Sequence, residues 1–275
     1  MTYPWRTAVC LFACAYGALS QQPPVSLEQA IAHARDLYSR GKPAQAEALL
    51  KQAIDDSGRD PYGDPKRYDA LKLLYSIVDV ARPGPEAEQY LQGAINFREV
   101  TLGNLDDPRL AEDLKELAMF CGRIKDHDRG ITILQRVLSI QITAGGPKSP
   151  DLVETYIRSA QLYNGKKAHE NARSALRAAL SVAEHNHGPE HPSLVPVLDP
   201  LASTLVLLRQ YEQASEIFRR DLLIRERLFG TSSMELIATL DGLAYSYFGE
   251  KKYGEAEPVY KRLLGIWVDS AGPDH

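Results

Sequence analysis

The chain has 275 residues, 44% of them apolar, a formal charge of -4 and a sequence pI near 6.0. That is enough apolar material for a buried core in one large domain or two ordinary ones, so a disordered tail is excluded. The charge balance lacks the basic excess that phosphate neutralisation requires, which excludes nucleic acid as the expected partner.

The opening stretch, "MTYPWRTAVCLFACAYGALS", carries a positive charge at Arg6, an apolar run from Ala8 to Leu19, and the small residues Ala18 and Ser20 at the places that precede a cleavage site. The run is shorter than the roughly 20 apolar residues of a membrane span. It reads as a signal peptide over 1–20, cut after Ser20, and so predicts an exported protein, periplasmic or secreted. Two other readings are a buried first helix and a lipid anchor on Cys14 through "LFAC", where Phe12 is an awkward neighbour. Cleavage would remove Cys10 and Cys14 and leave Cys121, and a lone cysteine cannot form an internal disulfide. Stability must then come from packing.

Self-similarity organises the rest. Gly146, Gly188, Gly230 and Gly272 are 42 residues apart; so are Pro108, Pro150 and Pro192, then Ala118, Ala160, Ala202 and Ala244, then Ala172, Ala214 and Ala256. Within each period apolar residues recur at helical intervals, as in Leu110, Leu114, Leu117, Ala118 and Cys121, followed by Ile131, Leu134, Val137 and Leu138. Each repeat therefore predicts two amphipathic helices, A and B. Asp107-Pro108 and Ser149-Pro150 supply an N-cap oxygen before a proline at the first helical position. Ser232 and Glu235 offer a capping box in the sixth repeat, and Gly188, Gly230 and Gly272 stand where a left-handed C-cap would close helix B.

Extending the register backwards places Ala34 and Ala46 in a first repeat and Ala87 in a second, where Tyr75 takes a place expected for a small residue and "RPGP" makes an abrupt turn. The expected repeats lie at about 27–60, 65–104, 108–146, 150–188, 192–230 and 234–272, together filling 21–272.

This pattern resembles a tetratricopeptide (TPR) array. The matching residues are Leu198, Leu201, Ala202, Tyr211, Ala214 and Phe218 in the fifth repeat, and Leu240, Leu243, Ala244, Tyr253, Ala256 and Tyr260 in the sixth. The usual period is about 34 residues, and one extra turn per helix accounts for the excess. With "Y-x-x-A…L-x-I-x-E-x-x-x-G" and "G-x-x-H-P" the chain is similar to the long-repeat kinesin light chain subtype. The resemblance implies an all-α fold, a right-handed α-solenoid of about six antiparallel helix pairs. It also implies no catalysis, no cofactor, and a protein or peptide partner held in a concave groove lined by the A helices.

"GPDH" reads as the linker into a further helix A, so 273–275 is expected to be the stub of a seventh repeat. Val259, Leu263, Ile266 and Trp267 are then expected to lack a neighbour. Either the chain is a fragment of a longer array, or that end docks against something, another copy of itself included.

Three stretches break the pattern. "HPSLVPVLDPLASTL" predicts a kink or late start at Pro200. Asp221 occupies a small buried place held by Ala179 one repeat earlier, and is expected to reach water or Arg225. In "FRRDLLIRER" the basic residues Arg219, Arg220, Arg225 and Arg227 alternate with acids at helical spacing, as in a solvated, salt-bridged face.

"EHNHGPEH" groups His185, His187 and His191 with Glu184 and Glu190, residue types that bind zinc or nickel. However, His191 sits in the histidine slot of the linker, and the cluster straddles a helix end where histidine suits the terminal carbonyls. The acids from Asp55 to Asp64 lack EF-hand spacing, and no phosphate-binding, nucleophile-elbow, zinc-protease or dinucleotide motif is present. Cys121 lies on an inward stripe, where a packed neutral thiol is expected.

With Ala118 counted as the eighth place of its repeat, the second, fifth, ninth and twelfth places share one side of helix A. The fifth, ninth and twelfth supply the candidate peptide-binding residues Lys115, Met119, Ile157, Gln161, Asn164, Asp199, Ser203, Asp241, Tyr245 and Phe248; Glu112 and Glu154 hold the second place. The leading expectation is an exported, non-catalytic scaffold that binds a polypeptide segment. The alternatives are a sensory or regulatory segment of a larger protein and a histidine-dependent metal-binding module.

Overall fold

The computed structural model describes residues 26–58 and 63–271, without the side chains of 270 and 271. The signal peptide read over 1–20, part of the acidic loop, Gly272 and the linker stub 273–275 lie outside the described residues. Among the described residues there are twelve α-helices and no strand. The chain divides into two compact bodies at Leu105 and Asp106.

The N-terminal body holds α1 (Leu27–Ser39), α2 (Pro43–Asp56), α3 (Lys66–Ala81) and α4 (Pro85–Leu102). Helix α1 packs on both α2 and α3, burying Leu27, Ala30, Ile31 and Ala34. Ser26 opens it by accepting from the Gln29 amide. Tyr75 is buried where a small residue was expected; on α4, Gly93 lies over Leu71 of the same helix α3. An ion-pair network ties α2 to α4: Lys51 bonds both Glu47 and Glu86 at 2.7 Å, and Arg82 closes the square on the same two carboxylates.

The C-terminal body stacks four helix pairs: α5 (Ala111–Arg123) with α6 (His127–Gly145), α7 (Leu152–Gly165) with α8 (His169–His187), α9 (Val195–Leu207) with α10 (Tyr211–Phe229), and α11 (Ile237–Gly249) with α12 (Tyr253–Ala271). Three of the A helices start late, behind 3-10 turns at Pro108–Leu110, Pro192–Leu194 and Met234–Leu236. Those turns are capped at positions 42 apart. Asp107, His191 and Ser233 each accept, through the side chain, the amide two residues on, and Ser149 is buried at the same place. The cap of the sixth repeat is thus Ser233, not Ser232, because the periodic place outranks the local box. Helix α9 begins late, at Val195, and continues through Pro200, whose carbonyl accepts from the Thr204 hydroxyl at 2.8 Å.

Both kinds of turn are periodic too. Gly146, Gly188 and Gly230 follow helix B at φ between 81° and 86° with ψ near 170°, an extended positive-φ conformation rather than the left-handed helical cap. Between helices A and B the positive φ falls on Lys125, Lys167, Arg209 and Lys251, each 42 residues from the next, and on Gly41 in the N-terminal body.

Between the third and fourth repeats, and between the fifth and sixth, rings of helix B are set against glycines of the next helix A. A Cβ on Gly165 would lie 2.6 Å from the His127 ring, and one on Gly249 would lie 2.5 Å from Tyr211. Gly242 is covered in the same way by Phe218, which packs with Leu201, Ala202, Ala214 and Leu243. Each ring belongs to helix B of one repeat and each glycine to helix A of the next. The arginines of "FRRDLLIRER" work across repeats as well. Arg220 pairs with Glu184 and Arg227 with Glu190, both at 2.6 Å, and Arg262 reaches back to Glu226. Arg220 and Arg227 thus link repeats on a face that stays partly solvated, as the spacing suggested.

Two of these seams carry buried polar bonds made by threonines 84 residues apart. Thr155 donates to the Gln141 side chain at 2.8 Å, and Thr239 donates to Asp221 at 2.8 Å. Asp221 is wholly buried; its Oδ2 also accepts from Arg225 Nε at 2.7 Å, while Oδ1 has no hydrogen-bond partner. Between them, Ala179 and Val197 make the same seam apolar.

Gly130 occupies the place of Ala172, Ala214 and Ala256, and a Cβ there would lie 2.8 Å from both the Ala118 carbonyl and a Leu162 methyl. A backbone oxygen cannot step aside as a side chain can. Overpacking costs about 1–3 kcal/mol, and alanine's helix preference returns up to about 1 kcal/mol. Gly130→Ala should therefore lower stability by roughly 1 kcal/mol in urea unfolding; a stabilised variant would show that the helices separate freely. Burial, against the bonds from Arg225 and Thr239, pushes the Asp221 carboxyl above the usual aspartate range. A raised carboxyl supports the fold fully below its unfolded pKa and loses that support as pH climbs through the folded value. The stability of Asp221→Asn relative to the parent should accordingly rise with pH from the ordinary aspartate range toward neutrality, as read by urea unfolding at each pH. A pH-independent difference would contradict this.

Candidate functional site

The candidate residues lie on α5, α7, α9 and α11, which touch in succession. The three candidate rows do not share one fate. The fifth and twelfth places face the next helix A. Lys115 is 3% exposed, held by Glu112 at 2.7 Å and by Glu154 of the following repeat at 2.5 Å. Gly122, at the twelfth place, lies against Leu162. Asn164 donates to Thr204 at 3.0 Å and bonds the His169 ring through its other amide atom, so its side chain is committed to the fold. Ile157 and Val206 are half-buried against the cluster around Phe218, and Asp199 stands 3.8 Å from Arg225. Lys115 and Asn164 thus link one repeat to the next.

The ninth place stays open. Gln161, Ser203 and Tyr245 are exposed on three adjacent helices, and Met119 is half-buried beside them. Tyr245 stands edge-on to Tyr211, with centroids 6.2 Å apart. Pro196 and Ala238 extend the open strip at the second place, as do Arg123 and Leu207 four residues beyond the ninth. Their signal was the i, i+4 spacing from Met119 and Ser203, which keeps them on the same side of the helix.

In the last repeat the packed places are uncovered. Asp241 is exposed and Phe248 is 56% exposed, because no further helix A lies against them among the described residues. Phe248 falls at the place of Gly122 and Asn164, so it belongs to the end of the stack rather than to the strip; its ring meets Tyr253 at 5.3 Å. Val259, Leu263 and Ile266 turn inward on Leu236 and Leu240, contrary to the expectation that they lack a neighbour. The outward residues are Tyr253, Tyr260, Leu264, Trp267 and Val268.

Lys115, against burial and with help from Arg158, holds the Glu154 carboxyl below the usual glutamate range, and Arg158 closes on Glu154 at 2.6 Å. Burial, with Asp241 and Tyr245 nearby, pushes the Tyr260 phenol up.

The histidine cluster is engaged elsewhere. His187 and His191 stack with centroids 4.8 Å apart, His191 Nδ1 accepts from the Ser193 amide at 3.2 Å, and His185 is exposed. Glu184 and Glu190 are the partners of Arg220 and Arg227. Among the described residues no three His, Cys, Asp or Glu side chains are placed to share a metal ion. Cys121 is wholly buried, as its inward stripe required. Among the described residues no helix is long and apolar enough to cross a membrane.

Residues 109–184 and 151–220 match the family model of the tetratricopeptide repeat. No curated protein matches in sequence. Among solved structures, BtubC (BKLC) from P. vanneervenii is 18% identical, over 85% of this chain and 94% of that one, with a TM-score of 0.68. A tetratricopeptide repeat protein from Parabacteroides merdae is 17% identical over 87% of this chain and 79% of that one, with a TM-score of 0.56. Kinesin light chain TPR-like repeats from Podosopora anserina are 17% identical over 91% of this chain and 99% of theirs, with a TM-score of 0.45. Helix pairs of this length, their inter-repeat seams and the matched repeats agree: residues 109–220 carry tetratricopeptide repeats, and the helix pairs have the TPR-type fold, which supports a scaffold for protein–protein interaction.

Proposed function

We propose that the protein is an exported, non-catalytic scaffold that grips a polypeptide segment along the open strip of its A helices. The observation that carries this reading is the ninth-place row. Gln161, Ser203 and Tyr245 stay exposed on neighbouring helices while the flanking rows are used up by packing. Amide, hydroxyl and phenol groups in series suit a peptide backbone, and Tyr245 with Leu207 adds apolar surface for its side chains. Export is supported by the order of charge, apolar run and small residues over 1–20.

Immobilised protein should recover a partner from periplasm or culture medium, and Ser203→Arg with Tyr245→Arg should cut that recovery about tenfold or more while leaving helicity intact. Unchanged recovery would reject the strip. N-terminal sequencing of the protein from the same fraction should begin at Gln21, whereas a product confined to the cytoplasm with Met1 or Thr2 in place would reject export.

A further inference from the structure

The seam between the fifth and sixth repeats specifies what the far side of the sixth would accept. In that seam Tyr211 and Phe218 project from helix B onto Gly249 and Gly242, seven residues apart on the following helix A. Leu222 packs beside them on Leu236 and Leu240. Forty-two residues on, the same three places are Tyr253, Tyr260 and Leu264, exposed by 57%, 39% and 61%, around a groove of about 460 Å³. By continuity with the occupied seam, a fitting helix must carry small residues at two places seven apart.

The chain holds such a helix. Ala34 stands at the place of Ala118, and Gly41 at that of Lys125, both with positive φ, so α1 shares the register of the later A helices. The equivalents of Gly242 and Gly249 on α1 are Ala32 and Ser39, and both are exposed. The A helices of the third and fifth repeats present Glu116 and Arg123, or Pro200 and Leu207, at these places. No helix precedes α1 among the described residues.

Charge agrees with shape. Across the occupied seams Ser215 donates to Glu250 at 2.6 Å and Arg173 to Gln210 at 3.1 Å. Carried forward, Ser215 and Arg173 both become Glu257, whereas Glu250 and Gln210 become Arg40 and Lys42 of a chain that presents α1. A carboxylate would face two cations. The side chains of Glu257 and Arg40 are 65% and 67% exposed, each paired only within its own helix turn.

We propose that this face of α11 and α12 binds α1 of a second copy of the chain, head to tail, so that copies join as though they were consecutive repeats. The contact is heterologous and therefore extends or closes into a ring. It does not depend on the peptide strip.

The test is sedimentation velocity of the full chain across a concentration series. The parent should show a mass that climbs with concentration. Ala32→Arg and Tyr260→Arg, both at exposed positions, should each remain single chains with unchanged helicity. Their equimolar mixture should form a species of two chains and stop there, since only one intact pair of faces remains. Glu257→Arg should weaken association about tenfold, and mixing it with Arg40→Glu should restore it. A parent that stays monomeric throughout overturns the proposal, and leaves the face to a helix of another protein. Association of Ala32→Arg equal to the parent's also overturns it, and points to two such faces meeting each other. The series is repeated on the chain from Gln21, because the preceding stretch is itself apolar; association lost with that stretch overturns the proposal as well.

Discussion

The structure of the C-terminal body depends on one contact made repeatedly: a ring at the start or middle of helix B pressed onto a glycine of the next helix A. His127 on Gly165, Tyr211 on Gly249 and Phe218 on Gly242 are instances. A side chain at those glycines would hold the helices apart and open the seam, since protein interiors are close-packed and do not tolerate the gap. In the two seams that have it, the contact sets the rotation of the following helix A, and through it decides which residues are spent on packing and which remain outside.

Much of this was legible in the sequence because the signals are local. A spacing of 42 residues, apolar stripes at helical intervals and cap residues at fixed offsets each depend on one helix or one turn, so they survive without knowledge of neighbours. The division of the helix A surface was not legible. Lys115 and Met119 are four residues apart on one side of α5, yet Lys115 is clamped by Glu154 of the next repeat while Met119 borders the open strip. That distinction depends on the rotation of one helix against another, which no single-helix periodicity encodes. The surroundings of Asn164 and Phe248 depend on that rotation as well. The contrast between Ser232 and Ser233 went the other way: there the long period was the better guide than the short motif.

Polar groups in the seams add direction to contacts that apolar surface alone would leave free to slide. Gln141 with Thr155, and Asp221 and Arg225 with Thr239, are joined through threonines 84 residues apart, with an apolar version between. The ionic version is the costlier one, as Asp221 has an oxygen with no partner and a carboxyl pushed up by burial. The ion pairs from Arg220, Arg227 and Arg262 lie outside it and are half-solvated, where such pairs contribute little individually. Their value is in register, since each joins a specific pair of repeats.

The bonds that cross from one repeat to the next in this body join residues only 10 to 40 apart in the chain, from Arg225 with the Glu235 carbonyl to Asn164 with Thr204. Loops of that length close at modest entropic expense, and no contact there waits on the ends of the chain finding each other. Loosening would begin at an outer repeat and travel inward pair by pair, so thermal melting of this body should broaden into a graded loss of helix rather than a single sharp collapse.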